Sequence, residues 1–166
     1  MTRRDERTVV AGVADGVASA GSQSGRYAHS LMMSAADAAS ESSSADALLD
    51  CAWRRSAELE GRSTACVAVL TSEPPQLQAA CLGDSAFWVL RRGSRGRLGV
   101  AHRSRPQQHY YNCPFQLGRI DSTELNTPAD AERYSLPLEE GDVVILATDG
   151  ALVLATVQIL QRLAAP

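Results

Sequence analysis

Apolar and polar positions fall in blocks whose period changes along the chain. The run Thr8-Val-Val-Ala-Gly-Val-Ala14 is short, apolar and β-branched, and it breaks at Asp15-Gly16. That pattern predicts a buried strand ending in a turn. Residues 21–25 read as a small-residue loop. From Arg26 a helical period begins, with Tyr27, Leu31, Ala35 and Ala38 on one face. Residues 39–46 form a polar break, after which Leu49, Trp53, Ala57 and Glu60 stand at the spacing of a second helix.

After Gly61 the period shortens. Thr64 to Leu70 is apolar on both alternating faces, as a strand buried on both sides requires. Pro74-Pro75 marks a turn, and Leu77 to Leu82 is a second strand. Gly83-Asp84 makes a tight corner into a third, Ala86 to Leu90. Arg91 to Arg97 reads as a solvated turn before Leu98 to Ala101. Residues 103–142 carry Pro106, Pro114, Pro128 and Pro137, which interrupt any helix, and read as mostly irregular. Within them Tyr110-Tyr111 is expected to pack against the body of the protein, a substrate-reading role being the alternative. Val143 to Ala147 is another buried strand, ending at Thr148-Asp149-Gly150. Leu152 to Leu163 has helical spacing.

Runs of like elements favour an α+β class over alternating α/β. Strands apolar on both faces need cover on both, which a sheet-on-sheet sandwich with outer helices provides. The expected organisation is one domain over residues 8–163, preceded by a short polar segment, residues 1–7. A chain of 166 residues, 45% hydrophobic and 21% charged, can bury such a core without metal or disulfide staples. Trp53 and Trp88 are expected to anchor it.

Charge and composition narrow the chemistry. The net charge of −3 gives no electrostatic footprint for nucleic acid. No apolar run approaches the ~18 residues of a membrane span, and the first residues lack a signal-peptide core. All 16 basic residues are Arg, so Schiff-base and P-loop lysine chemistry are excluded. Cys51, Cys66, Cys81 and Cys113 show no zinc spacing, and the two inside apolar strands, Cys66 and Cys81, read as small core hydrophobes in a reducing, intracellular compartment.

Two segments share one device, a buried strand closing on Asp-Gly: Ala14-Asp15-Gly16 and Thr148-Asp149-Gly150. A strand end holds its carboxylate rigidly, and Gly frees the backbone carbonyl to turn toward a ligand. Two such carboxylates at one end of a sandwich would form an oxygen-only site suited to Mg²⁺ or Mn²⁺. Taken alone, these read first as two ordinary Asp-Gly turns, and the corner Leu82-Gly83-Asp84-Ser85 is as ambiguous by itself.

Five segments in order carry a resemblance: Gly12-Val-Ala-Asp-Gly-Val17, Arg62-Ser-Thr-Ala-Cys-Val67, Leu82-Gly-Asp-Ser85, Gln107-Gln-His-Tyr-Tyr-Asn-Cys-Pro-Phe-Gln-Leu117 and Ala147-Thr-Asp-Gly150. Together, over residues 8–150, they resemble the PPM-type (type 2C) metal-dependent Ser/Thr protein phosphatases. The Gln107–Leu117 segment resembles the short organellar branch that includes the T-cell-activation phosphatase homologue. The resemblance implies an αββα four-layer sandwich, here incomplete, with a binuclear Mn²⁺ or Mg²⁺ centre and phosphoprotein substrates. It implies that Asp15 bridges both metals, that Gly16 ligates one through its carbonyl, that Asp149 binds the second, and that Asp84 helps hold a third. Asp15 and Asp149 are then the catalytic pair, in an enzyme of mitochondrion or plastid.

The chain departs from the family at several points. It begins after the strand on which the family carries an earlier acidic motif, and it ends before the family's last Asp-bearing strand. Val153 stands at the second acidic position after Asp149-Gly150, and Ala18-Ser19 replaces a Gly-Gly. Val17 stands where many members have an acid–base His, leaving His29 and His109 as candidate proton donors, though both read first as structural. The expectation is a protein phosphatase truncated at both ends, with weak or absent turnover and a need for a stabilising partner. The competing readings are a non-catalytic pseudophosphatase or phosphoprotein-binding remnant, and a small α+β binding module.

Overall fold

A computed structural model describes residues 2–4, 8–17, 21–120, 123–124 and 126–150. The chain order is β1 (Thr2–Arg4), β2 (Thr8–Val13), α1 (Ser24–Ala38), α2 (Ala45–Arg55), β3 (Gly61–Ser63), β4 (Ala65–Ser72), β5 (Pro75–Leu82), β6 (Ala86–Arg92) and β7 (Leu98–Arg103). It continues with β8 (Gln108–Tyr110), β9 (Cys113–Pro114), β10 (Leu117–Ile120), β11 (Thr123–Glu124), a 3-10 turn (Pro128–Asp130), β12 (Glu132–Pro137) and β13 (Val143–Ala147). The helix expected over Leu152 to Leu163 lies outside the described residues.

The main sheet is antiparallel in the order β1-β2-β4-β5-β12. A second sheet, β13-β6-β7, lies against it. The double-sided apolar pattern of β4 divides between two cores, because successive side chains point to opposite faces. Ala65, Val67 and Val69 meet Tyr27 and Leu31 of α1 and Leu48 and Leu49 of α2. Cys66 and Ala68 meet Phe87 and Val89 of β6, with Val144 and Leu146 of β13 beside them. The described layers are therefore helix, sheet, sheet. Each fully buried Leu or Val in them stabilises the fold by about 1.5–3 kcal/mol.

The helix α1 buries the expected face, Tyr27, Leu31, Ala35 and Ala38. The second helix differs from expectation. It ends at Arg55, so Ala57 and Glu60 lie beyond it, and its buried stripe is Ala45, Leu48, Leu49 and Ala52. The tryptophans are not the core anchors: Trp53 is only partly buried at the edge of the helix-side core, and Trp88 is half-buried on the face of β6 opposite Phe87. Among the described residues, Tyr27 and Phe87 are the fully enclosed aromatic side chains.

Residues 103–142 are more ordered than their prolines suggest. β12 runs alongside β5 from Glu132↔Cys81 to Pro137↔Gln76, and its alternate residues Tyr134 and Leu136 face the inter-sheet core. Pro137 is accommodated because β12 is an edge strand. The polar N-terminal segment also takes part, Thr2–Arg4 pairing with Val9 to Ala11. No helix among the described residues is long and apolar enough to cross a membrane.

Candidate functional site

Asp15 follows the last residue of β2, and its main chain is tied down from two sides. The backbone carbonyl of Asp15 accepts from Thr64 N–H at 3.0 Å and from Ser63 Oγ at 2.9 Å. Val17 N–H donates to the Arg62 carbonyl at 2.9 Å, and Gly16 bridges Ser63. Thr64 in turn shares a 2.7 Å hydrogen bond between its hydroxyl and that of Ser85, the residue after Asp84. The buried hydroxyls of Ser63, Thr64 and Ser85 thus connect the two acidic corners. Their residue type does not announce this; the signals are their presence in two of the five segments that carry the resemblance and their place flanking strands too apolar to tolerate unpartnered hydroxyls.

The glycine after Asp15 has a steric reason. A Cβ on Gly16 would lie 2.6 Å from the Ser24 carbonyl carbon and oxygen and 2.7 Å from Gly25 N. The first turn of α1 packs directly on this backbone, and Gly16 does not adopt the left-handed conformation. Gly83 is different: its φ of +88° favours glycine, and a Cβ there would meet the Phe115 carbonyl oxygen at 2.5 Å.

Asp15, Gly16, Asp84 and Asp149 line one cleft of about 360 Å³, together with Val17, Thr64, Asn112 and Pro114. Asp149 arrives from the end of β13, which pairs with β6, while Asp84 sits in the corner between β5 and β6. The carboxyl of Asp15 is held above its ordinary range by burial first, then by a hydrogen bond and like-charge repulsion from Asp149. Asp84 is also raised, chiefly by burial, then by the charge of Asp149, with its own backbone amide opposing and Asp15 adding a little. Three carboxylates share one field here, with Asp15 and Asp149 in direct contact.

Such a pair can be relieved by a shared proton or by a cation. Its donors are all oxygen, the chemistry that Mg²⁺ and Mn²⁺ prefer. The fit is to few ligands: among the described residues no group of three or more His, Cys, Asp or Glu side chains is close enough to hold one ion.

The two histidines stand apart from this cleft. His29, on α1, lines a neighbouring groove of about 450 Å³ with Met32, Gly16 and Thr148. His109 is stacked on Phe115 with ring centroids 4.3 Å apart and reaches Asn126 Oδ1 at 3.4 Å. Cys66 and Cys81 face each other inside the sandwich with sulfurs 3.1 Å apart, and their mutual hydrogen bond and burial push the Cys66 thiol well up, as expected of inert core residues.

No family model matches the sequence. Curated relatives do. The chain is 38% identical over 157 residues to the protein phosphatase PTC7 homolog fig of Drosophila willistoni, covering 85% of this chain and 48% of that protein. It is 42% identical over 97 residues to the human protein phosphatase PTC7 homolog, covering 55% of this chain and 30% of that one. Among solved structures, the photosystem II phosphatase PBCP aligns with a TM-score of 0.77 at 27% identity, over 90% of this chain and 58% of its own. The catalytic domain of the serine/threonine phosphatase PstP, solved with two manganese ions, aligns with a TM-score of 0.52 at 15% identity, over 90% of this chain and 70% of its own, a likeness of fold. The chain spans half or less of the length of the curated relatives it matches. By sequence the chain is similar to PTC7 protein phosphatase homologues, and by fold to protein phosphatase domains.

Proposed function

We propose that the chain hydrolyses phosphoserine or phosphothreonine on proteins, in the cleft lined by Asp15, Asp84 and Asp149. The observation that carries this reading is the contact between the Asp15 and Asp149 carboxyls, brought together from strands far apart in sequence. In this reading Asp15 and Asp149 hold a divalent cation with the Gly16 carbonyl as a further donor, while Asp84 adds negative charge to the cleft from its own corner. When bound, the cation would supply an activated water and neutralise phosphate charge. The protein's own part is to fix the carboxylates. Ser63 and Thr64 clamp the Asp15 main chain, and Ser85 braces the Asp84 corner. Mitochondrial or plastid residence belongs to this reading through the likeness to the organellar branch alone.

The experiment is a manganese titration of p-nitrophenyl phosphate hydrolysis by the chain and by Asp15→Asn. Turnover that rises with Mn²⁺ and falls by about 10²-fold or more in the variant is expected. Equal rates in the two proteins would remove Asp15 from the reaction.

The small number of clustered donors favours a second reading, a phosphoprotein-binding homologue without turnover. Phosphopeptide binding with no manganese-dependent hydrolysis would select it.

A further inference from the structure

The segment Gln107 to Leu117 makes more structure than the site has yet used. β8 and β9 form a hairpin whose turn is Tyr111-Asn112, with Tyr110 opposite Cys113. Asn112 has a φ of 59°, a left-handed conformation that Asn tolerates better than most residues. Asn112 and Pro114 line the acidic cleft, so the hairpin forms part of its wall.

The base of this hairpin is bolted to the Asp84 corner. Gln107 N–H donates to the Gly83 carbonyl at 2.8 Å, and Gly83 N–H donates to Gln107 Oε1 at 3.2 Å. Gln107 Nε2 donates onward to the Asp130 carbonyl at 2.7 Å, and Phe115 N–H closes the base by donating to the Gln107 carbonyl at 3.0 Å. The His109 ring stacked on Phe115 stiffens one side. A projection so well footed carries its apex at a set distance from the carboxylates.

Two aromatic side chains occupy that apex. Tyr110 is 72% exposed and Tyr111 is 94% exposed, the opposite of the packing expected from sequence. Exposed tyrosines on a rigid support offer large amphipathic contact area at low conformational-entropy cost. Tyr111 is the chain neighbour of Asn112, which lines the cleft, and a cleft of about 360 Å³ admits a phosphoryl group but not the polypeptide that carries it, so whatever precedes and follows the phosphoresidue must cross the rim.

We infer that the Gln108–Pro114 hairpin reads the substrate, with Tyr111 and Tyr110 contacting the polypeptide on either side of a phosphoserine or phosphothreonine seated in the cleft. This rests on the phosphoprotein reading above. Tyr111 acts as a specificity residue, because it meets the peptide and not the phosphoryl group.

The test compares the whole chain with Tyr111→Ala and Tyr111→Phe in manganese buffer. Two substrates are used: p-nitrophenyl phosphate, which has no flanking peptide, and a phosphothreonine peptide with several residues on each side. In Tyr111→Ala the ratio of peptide to p-nitrophenyl phosphate kcat/KM should fall about tenfold, mainly through the peptide KM, while Tyr111→Phe stays within about twofold of the parent. An unchanged ratio in Tyr111→Ala overturns the inference and leaves the phosphatase reading standing. Should the chain turn over neither substrate, fluorescence anisotropy with the same peptide replaces the ratio. About tenfold weaker binding by Tyr111→Ala then supports the inference, and equal binding overturns it. Parent chain that binds the phosphopeptide no better than its unphosphorylated form overturns the hairpin role and the phosphoprotein reading together.

Discussion

Arg91 and Asp142 form a fork: Arg91 Nε donates to Asp142 Oδ1 at 2.8 Å and Nη2 to Oδ2 at 2.7 Å. Asp142 also accepts from Glu139 N–H at 2.9 Å, which folds the turn before β13. The pair fastens the end of β6 to the start of β13 and so fixes the register that delivers Asp149. An Arg cluster that looks like a solvated turn in sequence therefore begins with a structural residue, and the turn proper is Gly93 to Arg97.

The fork makes an acid-limb prediction. The Arg91 guanidinium holds the Asp142 carboxyl down to about 2, below its ordinary value of 3.8. A carboxylate lowered on folding stabilises the protein above its unfolded pKa and loses that contribution as pH falls through the folded one. Thermal melts of the parent and Asp142→Asn should therefore differ most above pH ~4, and the gap should close between ~4 and ~2. A gap independent of pH would show that the fork contributes through shape alone.

Gly16→Ala tests the close approach of α1 to the site. The new methyl would strike main-chain atoms of Ser24 and Gly25, which cannot rotate away as a side chain can. Overpacking of this kind costs about 1–3 kcal/mol. The melting temperature should drop by several degrees, and the manganese-dependent hydrolysis proposed above should fall further than stability does, because Asp15 is adjacent. A wild-type melt would mean that the first turn of α1 yields easily.

Much of this architecture is legible in the sequence, and the losses have physical causes. The β4 run Ala65 to Leu70 announces cover on both faces because no other arrangement satisfies it, and α1 shows its stripe cleanly. The second helix misleads because Leu49, Trp53 and Ala57 fit an i+4 series that drifts off the buried face, while small Ala45 and Ala52 carry little signal. β12 hides behind Pro128 and Pro137, although Glu132, Tyr134 and Leu136 already alternate with Arg133 and Ser135. In the site, the two Asp-Gly strand ends are visible as motifs, but their meeting depends on β13 pairing with β6 across more than 50 residues of chain, which no local period encodes. Tyr110 and Tyr111 were unreadable for a related reason: apolar character predicts burial, and only the hairpin geometry reveals that they stand outside.

The acidic cleft should trade stability for cation affinity. Asp149 raises the Asp15 carboxyl through a hydrogen bond and its charge, after burial, and it also raises Asp84. Asp149→Asn removes one charge of the contact while preserving its shape. In EDTA the variant should melt at or above the parent, because repulsion is lost and nothing buried is left unpaired. Manganese reverses the order. An ion that binds only the folded parent stabilises it by RT ln(1 + [L]/Kd), about 2.7 kcal/mol at a hundredfold excess over Kd, whereas the variant has lost a negative donor and should respond far less. Differential scanning calorimetry with and without Mn²⁺ reads this without any assay of turnover. A parent whose melting temperature ignores millimolar manganese would remove the cation from the cleft.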